Sequence, residues 1–168
     1  DITDSHKAKA MIERTGCDAV MIGRASIGNL PWIFTSCRRM LEDGVSIPEP
    51  TAEQRLISGW QHLGLCLTYL GARHGFKYAK RHLSGISKIL FREAADAASF
   101  KSKIRTAQDI TQMRQVFVEM AKVLGVTLPA SCFGATQEEE GEWPIQTSSA
   151  RKSASSTASE PLGPALDY

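Results

Sequence analysis

The chain has 168 residues, 42% hydrophobic and 23% charged, with a formal net charge of +2. These values suit an ordinary globular protein and exclude the collagen-like, wholly disordered and disulfide-dense classes. No run of about 18 uncharged apolar residues occurs, and Asp1-Ile2-Thr3-Asp4 has neither a basic n-region nor an apolar h-region, so the expectation is a cytoplasmic protein without a membrane span.

The first predicted element is a helix over residues 4–16, capped by Asp4 or Ser5, with Ala8, Met11 and Ile12 on one face and Gly16 as its left-handed stop. Ala19-Val20-Met21-Ile22, between Asp18 and Gly23, has the length and composition of a buried parallel strand. Gly23-Arg24-Ala25-Ser26 opens another helical turn, and Pro31 to Leu41 reads as an amphipathic helix ended by Asp43-Gly44, after which Pro48 and Pro50 break the chain. From Thr51 the pattern turns wholly helical. Thr51-Ala52-Glu53-Gln54 reads as a capping box opening a helix to about Leu70, followed by helices over His74 to Phe91 and about Ala107 to Leu124. The implied fold class is α/β followed by all-α. Glu138-Glu139-Glu140 and an aperiodic, serine-rich composition predict a disordered tail over 131–168.

Charge is unevenly spread: residues 51–133 carry 12 Lys and Arg against 5 Asp and Glu, whereas residues 134–168 carry 2 against 6. Between Glu53 and Glu93 there is no acidic residue, while Arg55, Arg73, Lys77, Lys80, Arg81, Lys88 and Arg92 all fall there with His62, His74 and His82. Such a segment is either a phosphate-backbone contact or a solvated helix face. Lys77, Lys80, Arg81, Lys88 and Arg92 recur at spacings that bring several of them to one side of a helix. Tyr69, Phe76 and Tyr78 are either stacking platforms for bases or core residues. Cys17, Cys37, Cys66 and Cys132 form no C-x-x-C pair, so neither a metal site nor a redox motif is expected.

Gly23-Arg24 at the end of an apolar run is a second candidate. Glycine lets a phosphate approach the main chain, and Arg24 adds a charge-assisted hydrogen bond; alternatively the glycine ends a strand and the arginine pairs on the surface. The run Thr15-Gly16-Cys17-Asp18-Ala19-Val20-Met21-Ile22-Gly23-Arg24-Ala25, with Asp1-Ile2 before it and Gly28-Asn29 and Pro31-Trp32-Ile33-Phe34 after it, closely resembles the C-terminal part of the barrel in tRNA-dihydrouridine synthases. Tyr69-Leu70-Gly71 and Gly75-Phe76-Lys77-Tyr78-Ala79-Lys80-Arg81-His82 resemble the start of that family's helical domain. Leu30 is a departure, standing between Asn29 and Pro31 where the family has Gly-Asn-Pro-Trp without a gap.

The resemblance implies the end of a (β/α)8 TIM barrel over 1–45, a helical tRNA-binding bundle over 46–130 and the tail over 131–168. It implies FMN as cofactor and NADPH as reductant, with Asp1, Gly23 and Arg24 at the flavin phosphate. It likewise implies tRNA as substrate, with Lys77, Lys80, Arg81, His82, Lys88 and Arg92 facing it. The family's catalytic cysteine belongs to an upstream barrel loop, so no catalytic residue is expected here, and the chain by itself is expected to be an inactive, monomeric fragment. Two alternatives stand beside this: another FMN-dependent barrel oxidoreductase such as a dihydroorotate dehydrogenase relative, and a helical RNA-binding protein without redox activity.

Overall fold

The computed structural model describes residues 1–133, and over these the protein is helical. Asp4 starts α1 (Ser5–Thr15) by accepting a hydrogen bond from the Lys7 N–H at 2.9 Å, and Gly16 closes it at φ 68°. Pro31 precedes α2 (Trp32–Asp43), and Gly44 ends it with its N–H turned back on the carbonyls of the last turn. The two helices pack through Ile2, Ala8, Ile33 and Cys37, a small apolar cluster.

The expected strand is absent. Among the described residues there is none, and Ala19–Ile22 runs as irregular chain with Met21 86% exposed. The reason is physical: a buried parallel strand must share its N–H and C=O groups with neighbours on both sides, and no described segment offers a partner. An apolar run sets the tendency to be a strand; a sheet is needed to realise it.

The capping box forms as expected. Thr51 accepts from the Gln54 N–H and Gln54 returns the bond to the Thr51 N–H, opening α3 (Ala52–Leu90). Continuous helix would carry these 39 residues in a line, but Gly71 sits at φ 73° and ψ 165°, a conformation open to glycine and closed to side-chain-bearing residues. The chain folds back there into two antiparallel arms, residues 52–70 and 72–90. Gly75 presses on the Cys66 carbonyl so closely that a Cβ would stand 2.1 Å from its oxygen, and Gly59 takes the Ile86 side chain in the same way.

The sequence pattern missed α4 (Ala94–Thr106), an alanine-rich helix that turns only Ala97, Phe100 and Ile104 inward. Three contacts in four turns leave a weak periodic signal. Asp109 then caps α5 (Ile110–Leu124), whose Met113, Val116, Phe117 and Met120 meet Leu56, Trp60, Leu63 and Leu83 of the hairpin in the main core. A 3-10 turn, Ala130–Phe133, brings Phe133 edge-on to Trp60 at 4.9 Å between ring centres. Packing therefore runs past residue 130, into the first residues of the expected tail; the rest of that tail, 134–168, lies outside the described residues.

Candidate phosphate loop and basic hairpin

Past the irregular chain of Ala19–Ile22, Gly23 lines an open concavity of about 840 Å³ together with Asp1, Ile2, Val20, Met21 and Arg24 among others. Arg24 is exposed, and its Nη2 donates to Asp1 Oδ2 at 2.6 Å, so two of the expected site residues come together across 23 positions of sequence. Nothing lies within 4 Å of a Cβ placed on Gly23. The turn that follows, Arg24–Ser26, is a three-residue 3-10 helix. It is too short for a macrodipole of consequence, so attraction for an anion rests on the guanidinium and on open main chain. The donor set suits a phosphate, with the Asp1 carboxylate fixing Arg24 rather than offering itself to the anion.

The loop is held from behind by the hairpin. Gly28, at φ 85°, lies against the backbone of Gly85, where a Cβ would stand 2.5 Å from the Gly85 carbonyl carbon; Gly85 in turn abuts Ile27. Beside this contact a cavity of about 10 Å³ is lined by Gly28, Leu30, Ser58, His62 and His82. His62 and His82, one from each arm, meet edge-to-face at 5.0 Å, and His82 Nδ1 is buried without a hydrogen-bond partner. Burial, with His82 adding a smaller effect, lowers the His62 pKa.

Arg55, which the sequence pattern counts among the basic residues of the hairpin, is 7% exposed. Its guanidinium donates to Asn29 Oδ1 and to Glu49 Oε2 and lies over the Trp32 ring at 5.8 Å. Trp32 in turn donates its Nε1–H to the Pro48 carbonyl at 2.8 Å. These links span 26 residues, and no local spacing announces them. Trp32 thus packs between the two regions, while Phe34 is exposed.

The six candidate RNA contacts divide. Lys77, Arg81, Lys88 and Arg92 are exposed, the first three within one stripe of the second arm. Tyr78 is exposed beside Arg81, whose guanidinium lies 5.9 Å from its ring centre, and Tyr69 and Leu70 are exposed at the hairpin tip. Lys80 is different: its ammonium donates to the carbonyls of Arg105 and Ala107 at 3.2 and 2.9 Å, closing the end of α4. His82 faces the seam rather than the stripe. The cysteines are all free, and burial raises the thiol pKa of Cys37, Cys66 and Cys132, which makes them poor nucleophiles. No group of three His, Cys, Asp or Glu suited to a metal occurs among the described residues.

A family model described as "Dihydrouridine synthase (Dus)" matches residues 1–123, so one match runs through both the loop and the hairpin. The chain belongs to the dihydrouridine synthase family. It is similar to the tRNA-dihydrouridine synthase B of Yersinia pestis, 44% identical over 86 residues that make up 50% of this chain and 26% of that protein. The tRNA-dihydrouridine synthase B of Serratia marcescens is 43% identical over 86 residues, 50% of this chain and 25% of that protein. That of Escherichia coli (strain K12) is 41% identical over 86 residues, with 50% and 26% covered. The chain spans about a quarter of the length of these curated relatives. The other flavin oxidoreductase class is set aside by this match. Among the described residues no helix is long and apolar enough to cross a membrane.

Proposed function

We infer that this chain is the carboxy-terminal portion of an FMN-dependent tRNA-dihydrouridine synthase, a monomeric cytoplasmic oxidoreductase that reduces uridine in tRNA to 5,6-dihydrouridine with NADPH. In this reading residues 1–45 complete a TIM barrel whose strand over Ala19–Ile22 forms against the rest of the sheet. Gly23 and Arg24 receive the flavin phosphate, with Asp1 orienting the guanidinium. When bound, FMN supplies the hydride for the base. The chain's own contribution is to hold the phosphate end of the cofactor and to present the tRNA at a fixed distance from it.

The observation that carries the reading is the close packing of the Gly23–Asn29 loop on an arm whose exposed stripe of Lys77, Arg81 and Lys88 has no acidic residue near it in sequence. Arg92, exposed just past the end of the second arm, adds a further charge, Tyr69 and Tyr78 offer ring faces to unstacked bases, and His82 and Lys80 serve the surface from beneath by fixing the arm.

The test is tRNA binding by the chain across a salt series, wild type against Lys77, Arg81 and Lys88 changed together to Ala. Each lost phosphate contact should flatten the slope of log K against log salt by roughly 0.7 to 0.9, about 2 to 3 in all. An unchanged slope would show the stripe to be a solvated face. A full-length protein that binds tRNA but purifies without flavin would favour the RNA-binding protein without redox activity.

A further inference from the structure

Arg55 is the most deeply buried ionised group among the described residues, and its one ion-pair partner there, Glu49, is 75% exposed at its side chain. A guanidinium withdrawn from water is costly unless its donors are used. Here one goes to Glu49 in the connection to α3, one goes to Asn29 in the loop, and the flat face covers Trp32 at the start of α2. An aliphatic side chain of similar length would fill the same space. It would not orient Asn29. With Oδ1 accepting from Arg55, the Asn29 amide must turn its NH2 away, and Nδ2 donates to the Ala25 carbonyl at 3.2 Å. The Asn29 carbonyl also accepts from the Ile33 N–H at 3.1 Å. A line of hydrogen bonds thus runs from the first arm of the hairpin, through Asn29, to the residue that directly follows Arg24.

We propose that Arg55 is a positioning residue for the cofactor-phosphate loop: through Asn29 it sets the backbone around Ala25, and so fixes where Gly23 and Arg24 stand. This rests on the reading of that loop as the phosphate site. Gly28 against Gly85 fixes the far end of the loop by contact; Arg55 fixes its near end by direction. Glu49 neutralises the guanidinium without touching the loop, so its loss costs rigidity of the connection and leaves Arg24 in place.

The experiment uses the full-length enzyme that carries this chain and measures FMN affinity by quenching of flavin fluorescence, with tRNA affinity and thermal unfolding recorded alongside. Arg24→Ala should weaken FMN by about tenfold or more, as expected for a lost charge-assisted contact. Arg55→Met and Asn29→Ala should each weaken it by about threefold to tenfold, and the double variant should be no worse than the stronger single one, because both cut the same line. Arg55→Lys should not restore affinity, since a flexible ammonium does not fix the direction of a hydrogen bond to Asn29 Oδ1 as the planar guanidinium does. Asn29→Ala should leave tRNA affinity unchanged, and Glu49→Gln should bind FMN as the wild type does. Should Arg55→Met fail to fold, Asn29→Ala decides alone. Wild-type FMN affinity in Asn29→Ala while Arg24→Ala is impaired would overturn the assignment of Arg55. Wild-type affinity in Arg24→Ala as well would overturn the reading of the loop, and the proposal with it.

Discussion

The two regions of this molecule are built on unequal cores. The helical region gathers Leu56, Trp60, Leu63, Ile104, Met113, Phe117 and Met120 with ten further buried side chains into one contiguous cluster, whereas the cluster of the first region holds four buried apolar residues. The helical region can hold itself together; the first region is completed by what it leans on. That difference explains why every expected helix of the hairpin region forms while the one expected strand does not. It also explains why the seam at Gly28 and Arg55 matters more to the first region than to the second.

The largest effect should follow from Phe117→Ala, which empties the centre of the main core and should cost about 3–5 kcal/mol. Its counterpart, Ile33→Ala, removes a fully buried side chain from the small cluster. Hydrogen exchange should then show loss of protection in α3 and α5 for the first variant, and in α1 and α2 alone for the second. If Ile33→Ala also releases α5, the two regions are one cooperative unit and the comparison breaks.

Next comes the seam. Gly28→Ala demands a left-handed backbone from alanine and drives a methyl into the Gly85 carbonyl, so we expect a loss of at least about 2 kcal/mol, read as faster exchange across Gly23–Asn29 with the hairpin still protected.

A smaller effect comes from acid. The His62 pKa is lowered by burial in the fold, from an ordinary value of 6.5, so the unfolded state binds the proton more readily. Stability from this group is therefore fully present above pH 6.5 and is lost as pH falls from there through the lowered pKa of the folded state. Unfolding midpoints of wild type and His62→Gln should converge toward acid, and parallel curves would show that the edge-to-face pair carries no pH dependence. The smallest effect expected is Asp4→Ala, which removes the cap of α1 and should cost about 1 kcal/mol in the first region alone. The hydrogen bond from the Lys7 N–H also lowers the pKa of the Asp4 carboxyl from its ordinary 3.8, so this contribution is present above that pH and is lost below it, as the carboxylate takes up its proton.

How much was legible in the sequence follows the same division. Caps are local chemistry, and Asp4, Gly16, Gly44 and the Thr51–Gln54 box stand where the sequence puts them. The resemblance put Asp1 and Arg24 at one site without foretelling that they pair with each other, as they do at 2.6 Å. The break between the hairpin arms was legible as a gap between two helices, but Gly71 alone makes it. Arg55 was legible only as charge, because its partners lie 6 and 26 residues away and nothing at Arg55 itself foretells them. Lys80 and His82 looked like members of a basic stripe because periodicity gives a face, not depth; the carbonyls of Arg105 and Ala107 capture Lys80, and the opposite arm covers His82. The strand expected over Ala19–Ile22 does not form, because the apolar pattern describes those four residues and says nothing of the neighbouring strands that a sheet would need.

The fold at Gly71 has a mechanical meaning. Gly85 sits at the seam and residue 72 begins the second arm at the tip, thirteen residues and about 20 Å of helix away. The hairpin is a lever with its fulcrum at a pair of glycines. A tilt of about 5° at that fulcrum sweeps the exposed Tyr69 and Leu70 through roughly 2 Å, more than the geometry of a hydrogen bond tolerates. One methyl group at the fulcrum would therefore re-aim the far end of the molecule without altering any residue there.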